Sequence, residues 1–218
     1  MSSSFPPRQP GRELLDHLPA DDPGAQASRR DLRRINWLMG QYRFIATALD
    51  RHAREDEPIL EIGAGDGSLY THLSQHHRNS DWNYTGLDIA PAPHGFEKAW
   101  IQKSVFDFEA WDHYPVVIAN LFLHHFTNEE LKQLGTQIAS HSRLLIINEP
   151  WRHPFPILGF NFLLPFVHPI TRHDGAISLR AGFCPGEMGT LLGLSKPSWH
   201  LNEHTSWRGG CRMVGYRS

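Results

Sequence analysis

Apolar positions along this chain switch between two spacings, and the switches mark its elements. From Ser28 to Arg51, Leu32, Ile35, Trp37-Leu38, Phe44-Ile45 and Leu49 recur at helical intervals, and Gly40 divides the run into two helices. Between Pro58 and Leu73 the spacing changes within one stretch. Ile59, Leu60 and Ile62 suit a buried parallel strand, Leu69, Tyr70 and Leu73 return to helical spacing, and Gly63, Gly65 and Gly67 lie between them. Residues 82–89, 99–102, 114–120 and 144–148 read as four further strands, separated by helical or loop segments. Thr127-Asn-Glu-Glu130 opens one of the intervening helices as a capping box. Residues 198–205 and 211–216 flank the turn at Trp207-Arg-Gly-Gly210 and pair as a terminal antiparallel hairpin.

Strands alternating with helices at this rhythm imply an α/β fold with a doubly wound, mostly parallel sheet, helices on both faces, and a ligand at the carboxyl ends of the strands. Residues 1–27 are rich in Pro, Gly, Ser and Asp and read as a loosely held tail with one helical turn near Leu14-Leu15. Residues 28–218 form a single domain, in which 28–51 are cap helices at its edge.

The glycine loop limits the ligand. A dinucleotide fingerprint needs G-x-G-x-x-G, whereas Gly63-Ala64-Gly65-Asp66-Gly67 is one residue short and carries an acid where a pyrophosphate would be repelled. No Gly-Lys-Ser/Thr follows, so a Walker loop is excluded. Asp88 ends the second strand, 25 residues after Gly63 (88 − 63), where a carboxylate can accept both hydroxyls of a ribose.

Glu61-x-Gly-x-Gly-x-Gly67, Asp88, the region from Ser104 to Asp107 and Ala119-Asn-Leu-Phe-Leu-His-His125 fall in the order of the class I S-adenosylmethionine-dependent methyltransferases, which the chain resembles from about residue 30 to its end. Asp31-Leu-Arg-Arg34 and Thr171-Arg-His-Asp-Gly175 resemble small bacterial members associated with polyketide and aromatic-metabolite pathways. The resemblance implies a seven-stranded Rossmann-like sheet and S-adenosylmethionine as cofactor. It places Glu61, Gly63, Ala64, Gly65, Gly67, Asp88, Ile89, Ser104, Val105, Asp107, Asn120 and Leu121 around that cofactor. Family members usually have an acid after the third strand for the adenine amino group; here Ser104 holds that position and Asp107 follows three residues on.

Methyl transfer from a sulfonium needs an aligned nucleophile and a dry site, and a base only where the nucleophile carries a proton. The candidate bases are His124, His125 and His173, with His153 after the fifth strand as a further one. Trp37, Tyr42, Glu149, His153, Arg172, Asp174 and Arg180 are expected on the acceptor, with Phe160, Phe162 and Phe166 as an aromatic wall and residues 171–175 in a loop. His173 and Asp174 are adjacent, so their side chains are expected to diverge. The apolar stretch 155–169 favours a hydrophobic acceptor, aromatic, polyketide or lipid-tailed, methylated at a hydroxyl oxygen. The alternatives are C-methylation of a quinone or polyketide, a nicotinamide-dependent oxidoreductase, and a cofactor-binding protein without catalysis.

Composition narrows the partners. Formal charge is −2 with signs interspersed, so no nucleic-acid surface is expected. Fifteen histidines are scattered without ligand spacing, and two cysteines, Cys184 and Cys211, give neither a disulfide framework nor a metal site. No metal is expected. The proline-broken 155–169 stretch is too short to span a membrane, and the start lacks the plan of a secretory signal, which leaves a cytoplasmic protein with a small-molecule substrate. Nothing in the sequence specifies the oligomeric state.

Overall fold

A computed structural model describes residues 6–19, 21–76 and 82–217. The first five residues of the expected tail lie outside the described residues. Seven strands form one sheet: β1 (Ile59–Ile62), β2 (Tyr84–Asp88), β3 (Ala99–Gln102), β4 (Val116–Asn120), β5 (Leu144–Pro150), β6 (Trp199–Thr205) and β7 (Gly210–Arg217). Their order is β3-β2-β1-β4-β5-β7-β6, and β7 runs antiparallel to both of its neighbours. The seven strands agree with the sequence reading to within two residues at each end.

Period-2 alternation in the parallel strands supplies two cores. Leu60, Ile62, Val117, Ala119, Leu145 and Ile147 face Leu131, Leu134 and Ile138 of helix α4 (Asn128–His141), together with Trp111 and Phe183. Ile59, Val116, Ile118, Leu144 and Ile146 face Ile45 and Leu49 of α2 (Gln41–His52), and Leu69 and Leu73 of α3 (Ser68–His76). Strands buried on both faces read as continuous apolar runs for this reason. Helix α1 is Pro23–Leu38, separated from α2 by Gly40 at φ 65°, a left-handed angle that glycine adopts at little steric cost. Thr127 Oγ1 accepts from the Glu130 amide at 3.3 Å and Glu130 Oε2 accepts from the Thr127 amide at 2.8 Å, which completes the expected capping box.

Two parts differ from the sequence reading. Residues 171–175 are not a loop but belong to α6 (Pro169–Ala181), which follows α5 (Pro154–Leu163) and a short 3-10 turn, Leu164–Phe166. Each helix starts on a proline capped by a histidine: His153 Nδ1 accepts from the Phe155 amide at 3.1 Å, and His168 Nδ1 from the Ile170 amide at 3.3 Å. Histidine caps are a weak signal beside Ser, Thr, Asp or Asn. Gly175 fits inside α6 because Phe160 of α5 occupies the space a β-carbon would take, 2.3 Å from it.

The second difference is the N-terminal segment. α1 starts at Pro23 rather than Ser28, capped by Asp22, whose Oδ1 accepts from the Ala25 amide at 2.8 Å. Residues 6–17 are tied to the C-terminal half instead of hanging loose. Arg8 donates to the carbonyls of Ala181 (2.9 Å), Phe126 (3.2 Å) and His124 (3.3 Å) and lies 4.2 Å over the Phe183 ring. Asp174 accepts from the Leu14 and Leu15 amides at 2.8 and 3.0 Å. The last described helix, α7 (Glu187–Leu191), packs its Gly189 against Leu201 of β6.

Candidate functional site

The chain runs outward through β1, β2 and β3 and then returns to place β4 on the other side of β1, so strand order reverses between β1 and β4. Crevices at such reversals take ligands at the carboxyl ends of the strands. Two turns converge there, the glycine loop after β1 and the Leu121 to His125 turn after β4.

Gly63, Gly65 and Gly67 have φ of 69°, 56° and 68°, which side-chain-bearing residues rarely adopt. Phe122 packs on Gly63 and Phe96 on Gly67, where an added β-carbon would meet ring atoms at 2.1 and 2.8 Å; at Gly65 it would meet nothing within 4 Å. Gly65 is thus the loop residue that faces open space. Its amide donates to Asp88 Oδ2 at 2.8 Å, and Asp88 Oδ1 accepts from the Ala90 amide at 2.9 Å. The Gly63 and Ala64 amides donate to the Leu87 carbonyl. Asp66 caps α3 through the Ser68 amide (3.2 Å) and pairs with Arg33 at 2.6 Å.

Glu61 is buried beneath the loop rather than presented on its rim, with the Tyr84 hydroxyl donating to Oε2. Burial, reinforced by Asp66 and Asp88 and opposed by the Tyr84 hydrogen bond, pushes its carboxyl up to about 8. Between the ordinary 4.5 and about 8, the folded protein holds a proton that the unfolded chain has lost, so this group destabilises the fold as pH rises through that window. Glu61→Gln removes the titration and keeps an oxygen for Tyr84. It is expected to raise the melting temperature at pH 8 by at least ~3 °C and to leave it unchanged at pH 5 in calorimetry of the free protein, since ~1 kcal/mol is worth roughly 2–4 °C at this size.

After β3, Ser104 and Asp107 form one turn: the Asp107 amide donates to the Ser104 carbonyl at 3.0 Å and the Phe106 amide to Ser104 Oγ at 3.3 Å. Val105 is buried, Asp107 exposed, and Ile89 is 70% exposed. Asn120 Oδ1 accepts from Asn148 Nδ2 at 2.9 Å. Leu121 has φ 55°, a strained value for a non-glycine residue. Its amide is held by the Asn148 carbonyl at 2.8 Å, and the turn beyond it is held by Glu149.

Glu149 is fully buried at the end of β5, inside the fold rather than at its mouth. Oε1 accepts from the Phe122 and Leu123 amides at 2.9 and 2.7 Å, and Oε2 lies 2.7 Å from His124 Nδ1. His124 Nε2 lies 3.5 Å from Glu13 Oε1, so the imidazole stands between two carboxylates. Burial opposes its charge, but the hydrogen bonds and charges of Glu13 and Glu149 outweigh burial and raise its pKa to about 9. His125 behaves oppositely. Burial and the neighbouring His124 cation lower it to about 4, while its ring stays partly exposed, with Nδ1 3.7 Å from Asp16 Oδ2. Donor atoms of Glu13, His124 and His125 lie within 4.8 Å of one another, as a metal site would require. Both ring nitrogens of His124 already face carboxylates, so ion pairing accounts for the cluster.

The remaining candidates separate. His173 and Asp174 do not diverge: Nδ1 is 2.8 Å from Asp174 Oδ1, although Asp174 itself is buried and engaged with the N-terminal segment. Arg172 and Arg180 line, with His173, a cavity of about 560 Å³ between α5 and α6, whose other walls include Phe160, Leu164 and Leu179. His153 caps α5 and stacks on Trp151 at 4.2 Å. Tyr42 is buried, its hydroxyl 2.9 Å from Ser68 Oγ, so it braces the start of α3; Trp37 is 68% exposed. Phe162 and Phe166, expected in an aromatic wall, face outward at 72% and 81% exposure.

Sequence reasoning missed Glu13 and Asn36. Asn36 Oδ1 is buried without a hydrogen-bond partner, while Asn36 Nδ2 reaches the Tyr42 hydroxyl at 3.4 Å. Its signal was a polar residue inside the apolar stripe of α1.

No protein-family model matches the chain, and no curated protein sequence matches it either. Solved structures do. The plantazolicin methyltransferase BpumL in complex with SAH is 13% identical, with a TM-score of 0.68 over 91% of each chain. The plantazolicin methyltransferase BamL, in complex with a triazolic desmethylPZN analog and SAH, is 12% identical, with a TM-score of 0.67 over 93% of this chain and 91% of that one. Magnesium protoporphyrin IX methyltransferase (ChlM) from Synechocystis PCC 6803, with bound SAM, is 13% identical, with a TM-score of 0.55 over 94% of this chain and 88% of that one. The strand order, the antiparallel β7 and these similarities establish that the chain has the fold of class I S-adenosylmethionine-dependent methyltransferases.

Proposed function

We infer that the protein transfers a methyl group from S-adenosylmethionine to a hydroxyl oxygen of a small hydrophobic acceptor. The observation that carries this reading is the loop geometry. Gly65 opens to free space beside Asp88, a carboxylate that suits the hydroxyls of a nucleoside and repels a pyrophosphate. Behind the loop, Asn36, joined through the Tyr42 hydroxyl to Ser68 at the start of α3, leaves its Oδ1 as a buried acceptor without a partner.

When bound, the sulfonium cofactor supplies an electrophilic methyl group. Asp88 would hold the ribose hydroxyls, the turn at Ser104, Val105 and Asp107 the base, and Ile89, Asn120 and Leu121 the walls, with Ala64 and the three loop glycines allowing close approach. His125, neutral and partly exposed, is the group that can take a proton from the acceptor, while His124 is cationic and fixes the turn. The cavity bounded by Phe160, Leu164, Leu179, Arg172 and Arg180 is apolar with cations at its edge, which suits a ring or tail carrying a carbonyl or anionic oxygen.

Calorimetric titration with S-adenosylmethionine and with NAD separates this reading from a nicotinamide enzyme. Saturable heat is expected with the first alone. Asp88→Ala is expected to weaken that affinity by about 10–100-fold, as loss of hydrogen bonds to a charged acceptor does. Binding of NAD without S-adenosylmethionine binding refutes the assignment.

A further inference from the structure

α5 carries its apolar side chains on the wrong side for a soluble helix. Phe155, Leu158, Phe162 and Phe166 follow each other at spacings of three and four and are 55%, 58%, 72% and 81% exposed. A second exposed apolar group stands near the start of α5, which meets it through the buried side of the helix. Pro156 lies against Gly209, 3.2 Å from where a β-carbon would stand, and Gly209 also meets Met39 at the end of α1. Beside it, Trp207 and Trp37 are 75% and 68% exposed and Leu38 is 52% exposed; Arg208 stacks over Trp207 at 5.0 Å and donates to the Leu38 carbonyl. Apolar exposure on this scale marks an interaction surface.

Its rim is cationic. On α1, Arg30 and Arg34 share one helical stripe with Trp37 and Leu38. Arg172, Arg180 and Arg208 are exposed on the neighbouring elements. Across α1, α5, the 3-10 turn and α6 the acidic residues are Asp31 and Asp174, both buried: Asp31 accepts from the His168 amide at 2.7 Å and lies 3.9 Å from Arg34, which stays 76% exposed, and Asp174 accepts from Leu14 and Leu15. A chain with a formal charge of −2 therefore shows positive charge around its most apolar face.

We propose that this face, formed by the outer stripe of α5 with Trp37, Leu38 and Trp207 and rimmed by arginines, docks the protein peripherally on an anionic lipid bilayer. Aromatic and leucine side chains over arginines match the layering of acyl chains beneath anionic headgroups. A second copy fits less well, because two-fold pairing sets the same patch against itself and brings arginine rims together. No helix among the described residues is long and apolar enough to cross a membrane, so the attachment is to the surface. The proposal does not depend on methyl transfer.

Vesicle co-sedimentation without cofactor tests it, comparing phosphatidylcholine alone with phosphatidylcholine containing phosphatidylglycerol. Binding is expected on the mixed vesicles only and should weaken strongly between ~0.05 and ~0.5 M NaCl, as screened charges do. Phe162→Ser/Phe166→Ser, which alters two exposed side chains outside the α5–α6 cavity, is expected to reduce partitioning at least ~10-fold. Arg30→Gln/Arg34→Gln is expected to reduce it by about fivefold per charge removed. An unchanged melting temperature confirms that the variants fold. Absence of vesicle binding by the unsubstituted protein, or binding indifferent to both pairs of substitutions, overturns the proposal. A dimer in sedimentation equilibrium that Phe162→Ser/Phe166→Ser dissociates, with no vesicle binding, assigns the face to a second copy instead.

Discussion

Glu149→Ala is expected to lower the stability of the protein by about 3–5 kcal/mol in urea unfolding, because removing one partner of a buried ion pair leaves the other charge uncompensated. The carboxylate does more than pair with His124. It is the acceptor for the Phe122 and Leu123 amides, so the variant also strands buried donors in the turn that follows β4. Glu149→Gln keeps an oxygen for those amides and loses the charge, which gives an intermediate result with a pH signature. The His124 imidazole is held at about 9 in the fold against an ordinary 6.5, so its stabilisation is fully present below pH 6.5 and is lost as pH rises through 9. The stability gap between the native protein and Glu149→Gln should therefore narrow from pH 6.5 to pH 9.5. A gap that stays constant over that range would show that His124 carries no charge in the fold.

This network explains why half of the site could be read from the sequence and half could not. The strands and glycine loop were legible because they rest on local patterns: apolar runs with period 2, three glycines that must take positive φ, an acid at a strand end. Glu13 and His124 are 111 positions apart (124 − 13), and nothing local to either suggests a partner. The N-terminal segment has the composition of a tail, yet Arg8 and the Leu14 and Leu15 amides anchor it through polar contacts to distant residues that leave no periodicity. His173 and Asp174 carry the local signature of a loop because α6 begins on a histidine cap and contains Gly175, both unfavourable signals that packing against Phe160 overrides. Exposure was equally hidden. The stretch 155–169 reads as an aromatic wall for a hydrophobic acceptor, and only the fold reveals that Phe162 and Phe166 point outward.

His125→Ala is expected to lower kcat for methyl transfer to a phenolic acceptor by about 10²-fold, the lower end of the ~10²–10⁴ range for acid–base groups, while the affinity for S-adenosylmethionine stays within about twofold. The lower end applies because a base depressed to about 4 is weak, although it is unprotonated and available across the neutral range. Position supports the assignment. His125 follows directly on the turn that holds Phe122 against Gly63; its Nδ1 faces Asp16, which leaves Nε2 for the acceptor. The pH profile distinguishes it from its neighbour. With His125 as base, kcat is flat from pH 6 to 9 on its account, since that group is already neutral throughout. With His124 as base, kcat climbs toward pH 9 as the imidazolium between Glu13 and Glu149 loses its proton. A His125→Ala variant with undiminished kcat and a rising profile transfers the role to His124. Undiminished kcat with a flat profile leaves alignment of acceptor and methyl group as the source of the rate.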